Sequence, residues 1–311
     1  MGRVARVVKA PALAILLIAP FFGETFSTAT APLDLLLPWR LPIVVGLYGC
    51  GALICREIAR RHRFGLLGLC LLGAAYGVYE EGLIDRFWFD PTFWTDTKVG
   101  DYSEVWHTNL LLATHLTAFH TAISICASIL VVERLFPSHR DRAWAGRRGL
   151  PVAAVAFLIL VPLGSADFYV PPIPVLIAAG ALCALLVVCA FLVPRRPPSA
   201  EAARRRGLAW IAFFAATTHF VLVYAIPSTN LPWPIGTLIS LLPIAIAILL
   251  VRRYASGGLH GRDANRVLTG MIAFFLLFDV VIGLGGRYDL SLGAIATAFA
   301  LRRLRTSSPA S

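Results

Sequence analysis

Two adjacent glutamates, Glu80 and Glu81, and two histidines five residues apart, His115 and His120, are the side chains whose types and spacing could do chemistry together. The glutamates end an apolar run that begins at Phe64, and the histidines lie in the next apolar run. A carboxylate inside a bilayer-length apolar segment costs about 2.5 kcal/mol or more even on the gentler insertion scales. One use for it is as a general base toward a water, with a histidine assisting or stabilising the oxyanion, which is hydrolysis within the membrane. A second is a metal site, although the HExxH spacing of many zinc enzymes is missing. A third is proton relay or cation binding in a carrier, with Asp279 mid-span and Pro243 as a helix break. The alternative without chemistry is an anchor, in which Glu80 and Glu81 reach the headgroups or pair locally with Arg86.

Helical rise places these groups in depth. If one span runs outward from Phe64 to Trp88, Glu80 lies about 12 Å below its outer end at 1.5 Å per residue. If the next runs inward from Trp106, His115 lies about 13 Å deep and His120 about 21 Å deep. Glu80 and His115 are therefore expected at one level on neighbouring antiparallel helices. His115 and His120 are about 140° apart around their helix, so they do not share a face. The face of His120 also carries Thr117, Thr121 and Ser124, a polar stripe suited to a cavity. Gly73 and Gly77 form a small-xxx-small pair that permits close helix approach, with Glu80 one turn beyond. Glu24 and His219 fall in the same outer half, so the candidate polar site comprises Glu80, Glu81, His115 and His120, with Glu24, His219 and Asp279 as further members. The cavity is expected to open toward the outer leaflet between the spans bearing Glu24, Glu80, His115 and His219.

The elements that must position these residues are apolar throughout. The chain has 311 residues, 58% of them hydrophobic and 14% charged, with a mean hydropathy of +0.75. Soluble domains carry about 25% charged residues, so this chain is built for lipid. Its net charge of +11 does not point to nucleic acid, because the arginines sit in short clusters between apolar runs rather than on a base-reading face. The near-exclusive use of arginine over lysine, with many alanines, suggests a GC-rich bacterial genome. All six cysteines lie inside apolar runs without metal-ligand spacing, which reads as buried free thiols.

Ten candidate spans follow, at about 10–28, 41–57, 64–88, 106–133, 150–169, 171–193, 207–226, 234–252, 267–286 and 287–302, the last short enough to be re-entrant. With the N-terminus inside, the positive-inside rule places every basic residue but Arg40, Arg86, Lys98 and Arg287 on the cytoplasmic side. Both termini are then cytoplasmic, in the inner membrane of a bacterium. Ala29-Thr30-Ala31 matches a signal-peptidase pattern, but Pro32 follows it, so an uncleaved first helix is expected. The fold class is an all-α polytopic transmembrane bundle of eight to ten spans, a single membrane domain over 1–311. The stretch 86–105 is an extracytoplasmic loop rich in aromatic and acidic residues. Its Phe87, Trp88, Phe89, Phe93 and Trp94 suit an interfacial belt or a lid, against the plainer reading of a solvated loop.

The run EEGLIDR, followed by histidines in the next span, resembles the glutamate-dependent intramembrane proteases of the CAAX- and bacteriocin-processing (CPBP) superfamily and their PrsW-type relatives. That resemblance implies Glu80 or Glu81 as base and His115 or His120 as partner. The family's EExxxR is EExxxxR here, with Arg86 one position late, and its FxxxH and later histidine elements are not matched. A longer likeness, over roughly 20–137, is to a group of uncharacterised bacterial integral membrane proteins. It rests on YGCGALICREIARR, LGAAYGVYEEGL, FDPTFW and HLTAFHTAISI followed by VVERLFP. The function expected is an intramembrane hydrolase, a peptidase foremost, with a carrier or a non-enzymatic membrane partner as alternatives. Its partners are the lipid bilayer and a membrane-embedded peptide or lipid-like substrate, with no nucleic acid. No cofactor is expected, and a divalent metal at the Glu/His cluster is left open.

Overall fold

The computed structural model describes residues 2–165, 168–193, 207–254 and 262–306. The clusters Arg195-Arg196 and Arg204-Arg205-Arg206 lie outside the described residues, as do the side chains of Arg3, Arg6, Lys9, Arg252, Arg262, Arg303 and Arg305. Ten helices occupy the ten apolar stretches. They are α1 (Gly2–Pro20, continued by a wider turn over Phe21–Thr25), α2 (Arg40–Arg61), α3 (Leu66–Ile84), α4 (Leu110–Leu135) and α5 (Gly149–Gly164). They continue as α6 (Ile173–Leu192), α7 (Leu208–Ser228), α8 (Trp233–Tyr254), α9 (Arg262–Leu284) and α10 (Tyr288–Thr306). Seven of these, α2, α3, α4 and α6 to α9, are long and apolar enough to cross a membrane. The apolar part of α1, Ala10–Thr25, and α5 are shorter. The last helix runs 19 residues.

The pivot is α4, with 72% of its span buried, whereas α6 has 11% buried. Around it, α1, α2 and α3 form one wall, and α3 also carries α6 on its outer side. On the far side α7 packs between α8 and α9, α9 also packs against α10, and α8 and α9 touch α4. Leucines and isoleucines such as Leu158, Ile177, Leu185, Leu238 and Leu249 face outward with at least half their surface or close to it exposed. In an all-helical chain of this hydropathy that outward apolar surface is the lipid-facing one.

The approach of α3 to α4 is set by two glycines. A Cβ added at Gly73 would lie 3.1 Å from the Thr121 Cα, and one at Gly77 would lie 3.1 Å from the Thr117 Cα and 3.3 Å from the His120 Cβ. The small-xxx-small pair thus works as its spacing implies: the backbone of α4 rests on α3 where side chains are missing.

At one end of the bundle the arginines are tied into protein. Arg56 and Glu57 are both buried and paired at 2.7 Å; Arg56 donates to the carbonyls of Arg140 and Arg142 and lies 3.9 Å from the Trp144 ring centre. Glu57 also accepts from the Trp144 backbone N–H, which makes this a buried ionic lock. At the other end, residues 86–109 form an ordered cap. Trp88, Phe89 and Val99 are buried, and Tyr102 donates to the Leu231 carbonyl. A two-residue hairpin, β1 (Glu104–Val105) with β2 (Thr108–Asn109), closes the cap. Asn109 then caps α4 by accepting from the Leu112 N–H, so α4 begins at Leu110 and not at Trp106. Part of the stretch is thus packed into the bundle, while Pro91, Thr92 and Trp106 stay exposed.

Substituting Gly77→Leu should lower unfolding stability in detergent by about 1–3 kcal/mol through overpacking. Gly180→Leu, where an added Cβ meets nothing within 4 Å, should be neutral. Equal melting temperatures for the two variants would contradict the packing.

Candidate functional site

Among the described residues five helices contain a π turn, in which N–H bonds to the carbonyl five residues back. They span Phe21–Thr25, Val45–Gly49, Glu80–Ile84, His120–Ala127 and Ala156–Leu160. The Asp85 N–H bonded to the Glu80 carbonyl at 2.8 Å is one such bond. A π turn inserts a residue into a turn and re-aims the side chains around it, at a cost in backbone geometry, and such turns recur at functional sites. Here they share one neighbourhood. They carry Glu24, Tyr48, the pair Glu80 and Glu81, the pair His120 and Ser124, and Phe157, whose ring stacks on Tyr76 at 5.9 Å.

At the centre both glutamates hold one imidazole. His120 Nε2 lies 2.7 Å from Glu81 Oε1 in a hydrogen bond, and His120 Nδ1 lies 2.9 Å from Glu80 Oε2. Nδ1 also has Ser124 Oγ at 2.9 Å as a hydrogen-bond partner. Glu80 is 0% exposed, Glu81 5% and His120 3%. Three carboxylate oxygens, Glu80 Oε1, Glu80 Oε2 and Glu81 Oε2, have no hydrogen-bond partner, and neither does the Tyr76 hydroxyl. Among the described residues His120 is the only cationic partner of Glu80 and Glu81. Arg86 does not pair with them: it donates to the carbonyls of Ile84 and Ser165.

Aromatic rings wall the imidazole. Tyr48 and Tyr76 have centroids 6.1 Å from it, and Phe119 lies 5.1 Å away, edge-on. Glycines make the space: a Cβ at Gly23 would fall 2.1 Å from the Tyr48 ring, and one at Gly51 2.3 Å from the Tyr76 ring. Glu24 accepts a hydrogen bond from the Thr30 hydroxyl, which in turn accepts from Arg40 at 3.2 Å. Asp85, just past α3, is within electrostatic reach of Glu81, Glu80, Glu24 and His120. Glu80, Glu81 and Asp85 therefore bear on one histidine, and Glu24 bears on the two glutamates, in a low-dielectric setting.

His115 goes elsewhere. Its Nδ1 lies 3.0 Å from His219 Nε2, and His219 Nδ1 lies 2.7 Å from the Ser240 carbonyl oxygen. A carbonyl can only accept, so His219 Nδ1 carries a hydrogen; in the neutral pair its Nε2 then accepts from the His115 Nδ1–H. Trp94 of the cap lies 6.1 Å from the His115 ring. Asp279 on α9 is fully buried with both oxygens unpartnered, and no hydrogen bond among the described residues joins it to the glutamates.

The expected level of Glu80 with His115 holds for the backbone and not for the side chains. Gly73 opposite Thr121 and Gly77 opposite Thr117 continue to Glu80 opposite Thr114, beside His115. Side chains lean toward the N-terminus of their own helix, so on antiparallel neighbours they lean toward each other. The glutamates reach down, His120 reaches up, and they meet between their backbone levels. His115, rotated around α4, faces α7. Sequence reasoning missed Tyr48, Tyr76 and Asp85; the acid five residues after Glu80 was the available signal for Asp85. It also placed a cavity opening here. In its place the cluster is enclosed, and an apolar groove of about 680 Å³ lies between α1, α4 and α10, lined by Ile18, Phe21, Phe22, Val131, Leu135 and Ala296. Val131 is eleven residues beyond His120, about 16 Å along α4.

A donor set of one atom each from Glu80, Glu81 and His120, all within 4.8 Å of one another, has the composition of a metal site. The pattern that matches this chain does so over residues 13–307 and is that of an uncharacterized membrane protein family. The chain belongs to that family. No curated protein and no solved structure matches it. None of these comparisons gives a protease relative, so the likeness to glutamate-dependent proteases stands on the EEGLIDR stretch alone.

Proposed function

We propose that this family member is an intramembrane hydrolase whose reaction centre is Glu80, Glu81 and His120. The observation that carries the reading is the convergence of the π turns on one buried carboxylate–imidazole–carboxylate clamp. A merely tolerated polar group needs one partner; it does not need five helices to leave regular geometry around it. The substrate class is a membrane-embedded peptide, or a lipid-like ester or amide of similar reach.

In this reading a water sits against the unpartnered oxygens of Glu80. Glu80 takes its proton as the oxygen attacks the carbonyl carbon. Protonated His120, oriented by Glu81 and Ser124, gives its proton to the leaving group as the bond to carbon breaks. Glu80, next to His120 Nδ1, returns the proton to the ring. Water, two carboxylates and an imidazole suffice for this cycle, with no organic cofactor. The clamp is shut away from lipid in this conformation, so turnover requires the surrounding helices to part.

The distribution of arginine supports a bacterial inner-membrane location with the N-terminus inside, which puts residues 86–105 outside and the clamp toward the outer leaflet. Green fluorescent protein fused after Arg148 should fluoresce, and alkaline phosphatase inserted after Lys98 should be active; the opposite pattern would refute this topology.

The reaction is tested by comparing new N-termini in membranes from cells expressing the wild type, Glu80→Gln and His120→Ala. Cleavages within membrane segments that vanish in both variants are expected. Identical profiles with intact insertion would sink the hydrolase. The unpartnered Asp279 carboxylate favours a proton carrier as the second reading. That reading instead predicts proton flux in proteoliposomes that Asp279→Asn abolishes.

A further inference from the structure

We infer that the clamp is a binding site for one divalent transition-metal ion, Zn²⁺ foremost, with Glu80, Glu81 and His120 as its protein ligands. The inference rests on the same reading of the cluster as the working centre and adds what occupies it.

Charge is the first argument. Two buried carboxylates against one imidazole leave a net charge of minus one if the ring is protonated and minus two if it is neutral. Glu24 and Asp85 lie within electrostatic reach of the pair, so ionising them as well would only add repulsion. No lysine or arginine among the described residues pairs with Glu80 or Glu81. A buried uncompensated carboxylate is costly in protein and more so at membrane depth. A divalent cation bound by two carboxylates and a neutral imidazole makes the ligand set neutral.

The second argument is the orphaned oxygens. Glu80 is 0% exposed, and beyond the Oε2 contact with His120 its Oε1 accepts no hydrogen bond, nor does Glu81 Oε2. Buried acceptors without partners are rare because each forfeits its desolvation cost. One ligand atom from each of Glu80, Glu81 and His120 lies within 4.8 Å of the others, so the two free oxygens belong to residues already gathered at donor spacing.

The third argument is orientation. With an ion on Nε2, beside Glu81, the carboxylate oxygen Glu80 Oε2 and the Ser124 Oγ, each 2.9 Å from Nδ1, hold that nitrogen as the N–H side and leave Glu80 Oε1 to reach the ion. A ligating histidine that donates its other N–H to a neighbouring oxygen is the usual outer-shell arrangement. The donor atoms lie close enough for small side-chain rotations to bring them onto one ion. One nitrogen and carboxylate oxygens suit Zn²⁺ or Mn²⁺. They do not suit Cu(I), which wants sulfur, or Ca²⁺, which wants six or more oxygens. With three protein ligands a position remains for water, as in catalytic zinc sites. In the loaded site Glu80 serves as ligand, and the proton-accepting role passes to an acid outside the set, with Asp85 and Glu24 in reach.

The test is elemental analysis of the full-length protein purified in detergent without chelators and without a polyhistidine tag. Wild type should carry a stoichiometric transition metal. Glu81→Gln and His120→Ala should lose it, Ser124→Ala should weaken Zn²⁺ about tenfold, and Glu104→Gln on the cap should retain it. Chelation should lower the melting temperature and added Zn²⁺ or Mn²⁺ restore it. Wild type with no stoichiometric ion, and no melting shift with either ion, overturns the site. So does an ion kept by Glu81→Gln and His120→Ala but lost in His115→Gln, which would place it at the histidine pair. The two proposals fail separately: cleavage lost in Glu80→Gln without any bound metal removes only the ion, and bound metal with unchanged cleavage removes only the hydrolase.

Discussion

Two carboxylates gripping the two sides of one imidazole, out of reach of water, is the constraint on which the rest of this structure depends. Each group alone would be expelled from an apolar bundle. Together they are held by geometry: 2.7 Å from Glu81 to Nε2 and 2.9 Å from Glu80 to Nδ1, with Ser124 behind the ring. The bundle bends to accommodate them. Gly73 and Gly77 bring α3 onto α4, Gly23 and Gly51 leave room for the Tyr48 and Tyr76 rings, and the π turns aim the polar groups inward. Removing one partner from such a set typically costs about 3–5 kcal/mol, because the charge left behind stays buried.

The two ends of the bundle solve the charge problem differently. Near Arg56 every charge has an opposite partner or a carbonyl: Glu57 is shared by Arg56, Arg61 and the Trp144 N–H, and Arg56 reaches two loop carbonyls as well. That arrangement leaves each buried charge paired and reads as a structural lock between α2 and the loop before α5. Around His120 there are acids in excess, oxygens without donors and no arginine on Glu80 or Glu81. Charges that all find opposite partners mark a fastener, and an excess of one sign marks a place where something binds or reacts.

Much of the fold was legible in the sequence because a bilayer imposes length and apolarity on every span. Among the described residues all ten apolar stretches became helices, and the small-xxx-small pair did set the approach of α3 to α4. The site was legible in composition and not in pairing. Glu80, Glu81 and His120 were visible as misplaced polar groups, but their backbone levels favoured His115. The lean of side chains on antiparallel helices, and the rotation of His115 toward His219, chose otherwise. π turns have no period that hydropathy reveals, and Tyr48 and Tyr76 look like ordinary core aromatics until their rings are placed. The cap over residues 86–109 was equally hidden, since its order comes from buried aromatics and from the contacts of Asn109 with Val99 and Gly100.

The most direct test of the clamp is a double-mutant cycle between its two most closely bonded members. Unfolding free energies in detergent would be measured for wild type, Glu81→Gln, His120→Gln and the double variant. The account predicts strong non-additivity, a coupling on the order of 1–3 kcal/mol, because either single change leaves a buried group without its partner. Additive effects would contradict it, since they would mean that Glu81 and His120 occupy the same membrane interior without acting on each other.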